Sequence, residues 1–152
     1  MRPELGPAVE ALTRVARILE RASPELSLAH YRVLTMISAG DGRASRLAQR
    51  LALGKPAISA TVESLVARGL IARSNLEPDR RVVHLEITPK GYSALADAEL
   101  AMSKELAHVL AHAPDRARTL AGLENLSVAM AGRQAAHHGD TSTPASPPES
   151  VG

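Results

Sequence analysis

Residues Arg43 to Lys90 read RASRLAQRLALGKPAISATVESLVARGLIARSNLEPDRRVVHLEITPK. Apolar residues fall at helical spacing twice, first through Leu47, Ala48 and Leu51, then through Ile58, Val62, Leu65 and Val66. Leu53-Gly54 separates the two, and Lys55-Pro56 opens the second, because the missing N–H of proline costs nothing in a first helical turn. Gly69 closes that helix as a C-terminal cap. Two strand-like stretches follow, Leu70–Arg73 and the alternating, β-branched Val82–Ile87, around a polar loop at Asn75–Arg81 that contains Pro78. Helix, tight turn, helix and two-stranded ribbon is the order of a winged helix-turn-helix. The segment holds nine Lys and Arg against four Asp and Glu, a local +5 in a chain whose total is +2. Clustered cations of this kind create the potential that draws phosphate.

Outward from this segment the chain reads as helix on both sides. Leu5, Val9, Leu12, Ala16 and Leu19 recur at steps of four and three, which predicts an amphipathic helix over about 5–22, ended by Ser23-Pro24. Ser27 can cap a second, mostly buried helix that runs through Leu28, Tyr31, Val33, Leu34, Met36 and Ile37 to the loop Ala39-Gly40-Asp41-Gly42. Beyond the ribbon, Thr88-Pro89 starts a long helix with a stripe through Leu95, Ala98, Met102, Leu106, Val109 and Leu110, stopping near Pro114. A last helix near Asp115–Ala136 presents Leu120, Leu123, Leu126 and Met130. Residues 139–152 have no apolar periodicity and place Pro144, Pro147 and Pro148 among serine and threonine, so a disordered tail is expected. The expected fold is mainly α with a small β-wing: one domain over 1–138, with a lobe at about 28–90 flanked by dimerisation helices at about 5–22 and 89–136. Those flanking helices carry more apolar stripe than one small core would absorb, so a second copy of the chain is expected to cover them.

Composition narrows the class further. At 152 residues and 45% hydrophobic the chain can bury one good core. The absence of cysteine excludes disulfides, cysteine-ligated zinc and thiol redox chemistry. Tyr31 and Tyr92 are the only aromatic residues, too few to stack single-stranded bases, which favours duplex DNA as partner. No stretch approaches the roughly 20 apolar residues of a membrane span and none resembles a secretion signal, so a cytoplasmic protein without membrane contact is expected. Nucleophile elbow, phosphate-binding glycine loop and paired catalytic carboxylates are all missing, which argues against an enzyme, and no cofactor is expected.

A helix that reads the major groove must be slim, with short or polar outward residues in its first turns. Lys55 and Ser59 could donate to base edges or phosphate, while Pro56, Ala57 and Ala60 could touch thymine methyls; Ser59, Ala60, Glu63 and Ser64 are expected to face outward. At the ribbon tip, Arg80 and Arg81 suit the narrow, electronegative minor groove, with Asp79 orienting them through an ion pair.

The run GLIARSNLEPDRRVVHLEITPKG at 69–91, with Leu47-Ala48 and Leu65 before it, resembles the MarR family of bacterial regulators over most of residues 5–136. That resemblance implies a homodimer formed by the terminal helices, one wing per subunit, and repression relieved by a small molecule. A two-fold dimer sets recognition helices roughly 34–36 Å apart and implies a near-palindromic operator. The family's effector pocket lies between the dimer helices and the DNA-binding lobe, where Arg14, Arg17, His30 and Tyr31 could meet an anionic or aromatic molecule. Gly54 and Ala60 depart from the family's usual cap and longer polar residue, which leaves the operator sequence open. An alternative is a zinc-responsive repressor of the same fold, because Glu105, His108 and His112 lie along one helix face and some relatives sense zinc through a histidine pair. Histidines near a helix C-terminus are more commonly plain surface, favoured by the helix dipole. A winged helix that binds protein instead of DNA is the other alternative, and the local +5 argues against it.

Overall fold

The computed structural model describes residues 5–43, 46, 47, 51, 55–74 and 84–139, without the side chains of 55 and 134–139. Most of the short helix expected at 44–51, the ribbon tip at 75–83 and the tail from 140 onward lie outside the described residues. The chain divides into two compact units, one ending at Ala111 and the other beginning at His112.

The first unit contains helices α1 (Gly6–Ala22), α2 (Leu28–Ser38) and α3 (Lys55–Ala67), strands β1 (Ile71–Ser74) and β2 (His84–Ile87), and helix α4 (Pro89–Leu110). Between α2 and α3, Arg46, Leu47 and Leu51 are helical as well. The start of α2 is doubly capped: Ser27 Oγ accepts from the His30 amide at 3.3 Å, and Glu20 of α1 accepts from the Leu28 amide at 2.9 Å. Both α2 and α3 end in the same way, on a glycine with positive φ, 94° at Gly40 and 70° at Gly69. After α3, the Gly69 amide donates to Val66 O at 2.9 Å and the Leu70 amide to Leu65 O at 2.9 Å. That pair of bonds is a Schellman motif, closed here by two leucines that are both buried.

β1 and β2 pair antiparallel, with Ile71 opposite Ile87 and Arg73 opposite Leu85. A third segment joins them, since Arg43 bridges His84 and the Leu85 amide donates to Gly42 O at 2.8 Å. Sequence reasoning assigns Gly42 to a loop, and the structure shows why glycine stands there. A Cβ on Gly42 would meet the Leu85 carbonyl, so the backbones could not pair this closely with any larger residue.

The core is one aliphatic cluster in which Leu26, Val33, Leu34 and Ile37 meet Leu47, Leu51, Ile58, Val62, Leu65, Leu70, Ile71, Leu85, Ala98 and Met102. Tyr31 packs at its margin. α2 packs on α3, β2 and α4, whereas α1 lies along α4 and adds only Leu19 and Ala22 to the edge of the cluster. The other half of the α1 stripe faces out: Leu5, Val9 and Leu12 are 50%, 57% and 47% exposed.

The second unit is helix α5 (Arg116–Gly139) and the turn before it. Asp115 caps α5, with Oδ1 accepting from the Arg118 amide at 2.9 Å. Leu123, Leu126, Val128 and Met130 are exposed on it. Among the described residues no helix is long and apolar enough to cross a membrane.

Candidate nucleic-acid interface

α3 turns Ile58, Val62 and Leu65 into the core and leaves Pro56, Ala57, Ser59, Ala60 and Glu63 exposed. The outward face is therefore narrow and, among the described residues, built mostly of side chains no longer than serine, as a helix that enters a groove requires. The Lys55 backbone begins this helix, but its side chain lies outside the described residues, as do Asp79, Arg80 and Arg81. Arg73 is exposed on β1.

Three sets of polar contacts set the position of α3. Ser64, expected to face outward, is half-buried, because its Oγ lies 3.1 Å from His30 Nε2. The other ring nitrogen, Nδ1, is 2.6 Å from Ser27 Oγ, so the His30 ring spans from the α2 cap to the last turn of α3. One turn beyond Ser64, Arg68 Nη2 donates to Glu25 O at 2.6 Å. At the C-terminal cap, Lys90 Nζ donates to Arg68 O at 2.9 Å, and Thr88 Oγ1 donates to Gly69 O at 2.7 Å and Leu70 O at 3.1 Å. Thr88 also caps α4 by accepting from the Gly91 amide at 3.0 Å. A Cβ on Gly91 would run into the Leu70 carbonyl and come within 2.7 Å of Ile87 Cγ1. Thr88-Pro89-Lys90-Gly91 thus does more than start a helix: it ties the end of α3 to the start of α4.

The charge tally of the segment also acquires detail. Arg68 and Lys90 aim donors at backbone carbonyls, and Arg46 stands 3.9 Å from Asp41, so these cations serve the fold first. Burial holds His30 below the ordinary histidine range of 6.5, the positive Arg68 adds to this, and Glu20 opposes it. Sequence reasoning missed the His30–Ser64 and Arg68–Glu25 contacts because 34 and 43 residues separate the partners.

Of the residues suggested for an effector, Arg14 is exposed beside Glu10 at 3.9 Å, Arg17 is exposed, Tyr31 is half-buried against the core, and both nitrogens of His30 are engaged by serines. Grooves at the α1–α4 junction are lined by other side chains; one of about 200 Å³ is bounded by Ser23, Glu25, Leu26, Arg68, Asp97 and Ala101. Glu105 and His108 approach to 3.9 Å on an exposed part of α4. Among the described residues no three His, Asp or Glu side chains are arranged to hold a metal ion.

The MarR family matches residues 25–82. CouR, a transcriptional repressor solved bound to a 23-mer DNA duplex, is 28% identical, with a TM-score of 0.72 over 82% of this chain and 90% of that one. The transcriptional regulator BldR from Sulfolobus solfataricus is 26% identical, with a TM-score of 0.61 over 84% of this chain and 99% of that one. Wild-type apo MarR from E. coli shares the fold, with a TM-score of 0.69 at 22% identity over 81% of this chain and 95% of that one.

Proposed function

We propose, from the match of residues 25–82 to the MarR family of transcription regulators, that the chain is a non-enzymatic, homodimeric repressor that binds duplex DNA and is released by a small molecule. The observation that carries the reading is the exposed, short-side-chain face of α3, held from behind at Ser64, Arg68 and the Gly69 cap. In this reading Lys55, Pro56, Ser59, Ala60 and Glu63 approach the major groove, and Arg80 or Arg81, oriented by Asp79, enters the minor groove. The repressor CouR engages DNA with the same fold, which supports this assignment. Exposed Leu5, Val9 and Leu12 on α1 support self-association, since an apolar row of this kind gains by leaving water. The groove beside α4, mainly apolar and edged by Glu25, Arg68 and Asp97, is where a small effector would act, by shifting α4 and the α3 cap that Thr88 and Lys90 hold.

The experiment is to incubate the full chain with sheared genomic DNA from its source, sequence what it retains, and measure affinity for a retained duplex against salt. Enrichment of a few near-palindromic sites, with affinity falling steeply as salt rises, is expected. Ala60→Glu should abolish retention without lowering the melting temperature, and Arg81→Ala should flatten the log–log salt slope by about one. A chain that stays monomeric and retains no duplex at low salt contradicts the proposal. Genes beside the retained sites then indicate the effector's chemistry.

A further inference from the structure

We propose that the groove between the end of α1 and α4 binds a free α-amino acid with a short aliphatic side chain, its carboxylate on Arg68 and its ammonium between Glu25 and Asp97. The coupling of that site to DNA rests on the effector reading above; the binding does not.

Ala94, Asp97, Ala98 and Ala101 fall at i, i+3, i+4 and i+7, so one face of α4 lines the groove. Three of the four are alanine, and the missing bulk leaves about 200 Å³ open against Ala22 and Leu26. That volume lies below the roughly 300–1,000 Å³ of sites for drug-sized molecules, and it suits a small metabolite with a short apolar part.

The polar edge of the groove carries both signs of charge. Arg68 has several N–H donors; Nη2 donates to Glu25 O at 2.6 Å, and among the described residues the others have no acceptor. The carboxylates of Glu25 and Asp97 are exposed and form no ion pair among the described residues. A purely anionic guest is repelled by these two carboxylates and a purely cationic one by Arg68, whereas a zwitterion answers both. Ser23 points to the same space. It is only 6% exposed, and its hydroxyl has no protein partner among the described residues, although no fully buried side-chain polar atom there lacks one. The hydroxyl therefore opens onto the groove that Ser23 lines, where it can donate to a carboxylate or accept from an ammonium.

Arg68 is also the route from this groove to α3. Its guanidinium holds the Glu25 carbonyl, and its own carbonyl accepts from Lys90 Nζ at 2.9 Å. A carboxylate that draws the guanidinium into the groove loosens the α1–α2 turn from the end of α3.

The test titrates the full chain with L-valine and L-leucine, each up to about 10 mM, and follows backbone amides by NMR. The Ala98 and Ala101 amides should shift with either. Leucinamide, which lacks the carboxylate, and N-acetyl-L-leucine, which lacks the ammonium, should bind at least about tenfold more weakly, as the loss of a charge-assisted hydrogen bond requires. Asp97→Asn and Ser23→Ala should weaken leucine by a similar factor at unchanged melting temperature, since neither side chain has a protein partner to lose. No shift with either amino acid, or an analogue that binds as tightly as leucine, overturns the proposal. Equal leucine affinity in wild type and both variants places the amino acid elsewhere and overturns it as well. Affinity for a retained duplex is then measured with and without leucine. Leucine binding that leaves duplex affinity unchanged upholds the site and removes the effector role from this groove. A chain that retains no duplex defeats the DNA reading, while the titration still decides whether the groove takes an amino acid.

Discussion

Gly91→Ala sets two physical effects of opposite sign against each other. Gly91 is the third residue of α4, and alanine is favoured over glycine in a helix by up to about 1 kcal/mol. Against this, the new methyl would press on the Leu70 carbonyl and lie 2.7 Å from Ile87 Cγ1. The carbonyl cannot yield freely, because it accepts the Thr88 amide at 3.1 Å and Thr88 Oγ1 at 3.1 Å. Forcing backbone apart in a packed region costs about 1–3 kcal/mol, and losing one of those hydrogen bonds adds roughly 1 kcal/mol. The net expectation is a loss of about 2 kcal/mol, which lowers a urea midpoint by roughly 1 M at a typical slope for a chain of this size. Gly122→Ala in α5 is the control: a Cβ there meets nothing within 4 Å, so that variant should gain up to about 1 kcal/mol. Both should be measured at one protein concentration, since self-association would otherwise shift the midpoints. A Gly91→Ala variant as stable as the parent would refute the claim that α4 meets the α3 cap too closely for any side chain.

Three further expectations follow from the same contacts. Thr88→Val keeps the shape but removes the α4 cap and the hydroxyl donor to the Gly69 and Leu70 carbonyls, so denaturant unfolding should show a loss of about 2 kcal/mol; a loss under roughly 0.5 kcal/mol would remove Thr88 from the clamp. Leu12→Glu, on the exposed row of α1, should leave helical content unchanged in circular dichroism and halve the mass seen by light scattering; an undiminished mass would clear this face of any part in self-association. Because the native His30 ring resists protonation more than the unfolded chain does, its contribution to stability is complete above 6.5 and is lost as pH falls through the lower native midpoint. Unfolding free energies at pH 7.5 and 5.5 should therefore differ more in wild type than in His30→Gln, and equal differences would contradict the assigned environment.

The elements were legible wherever a local rule decides them. Ser27 and Thr88 cap the helices they were expected to cap, Gly69 ends α3 with positive φ, and the apolar spacing of Ile58, Val62 and Leu65 fills the core. The outward face of α3 followed from the same periodicity at Ser59, Ala60 and Glu63. Ser64 is the exception, because helical spacing places it at the margin of that face and only the approach of α2 decides that it is covered. The strand edge at Gly42–Arg43 was hidden for a related reason: its pairing partner lies across the fold at His84–Leu85, and the glycine reads locally as loop.

What the amino-acid order determined, therefore, is periodicity, caps, turn residues and the local excess of positive charge, since each depends on neighbours within a few positions. Tertiary structure alone decided which polar side chains join separate elements: His30 with Ser64, Arg68 with the Glu25 carbonyl, and Thr88 and Lys90 with the end of α3. Those pairings depend on where packing of the aliphatic core brings distant helices together. The same packing leaves Leu5, Val9 and Leu12 exposed on α1 and covers Ser64 at the margin of the α3 face.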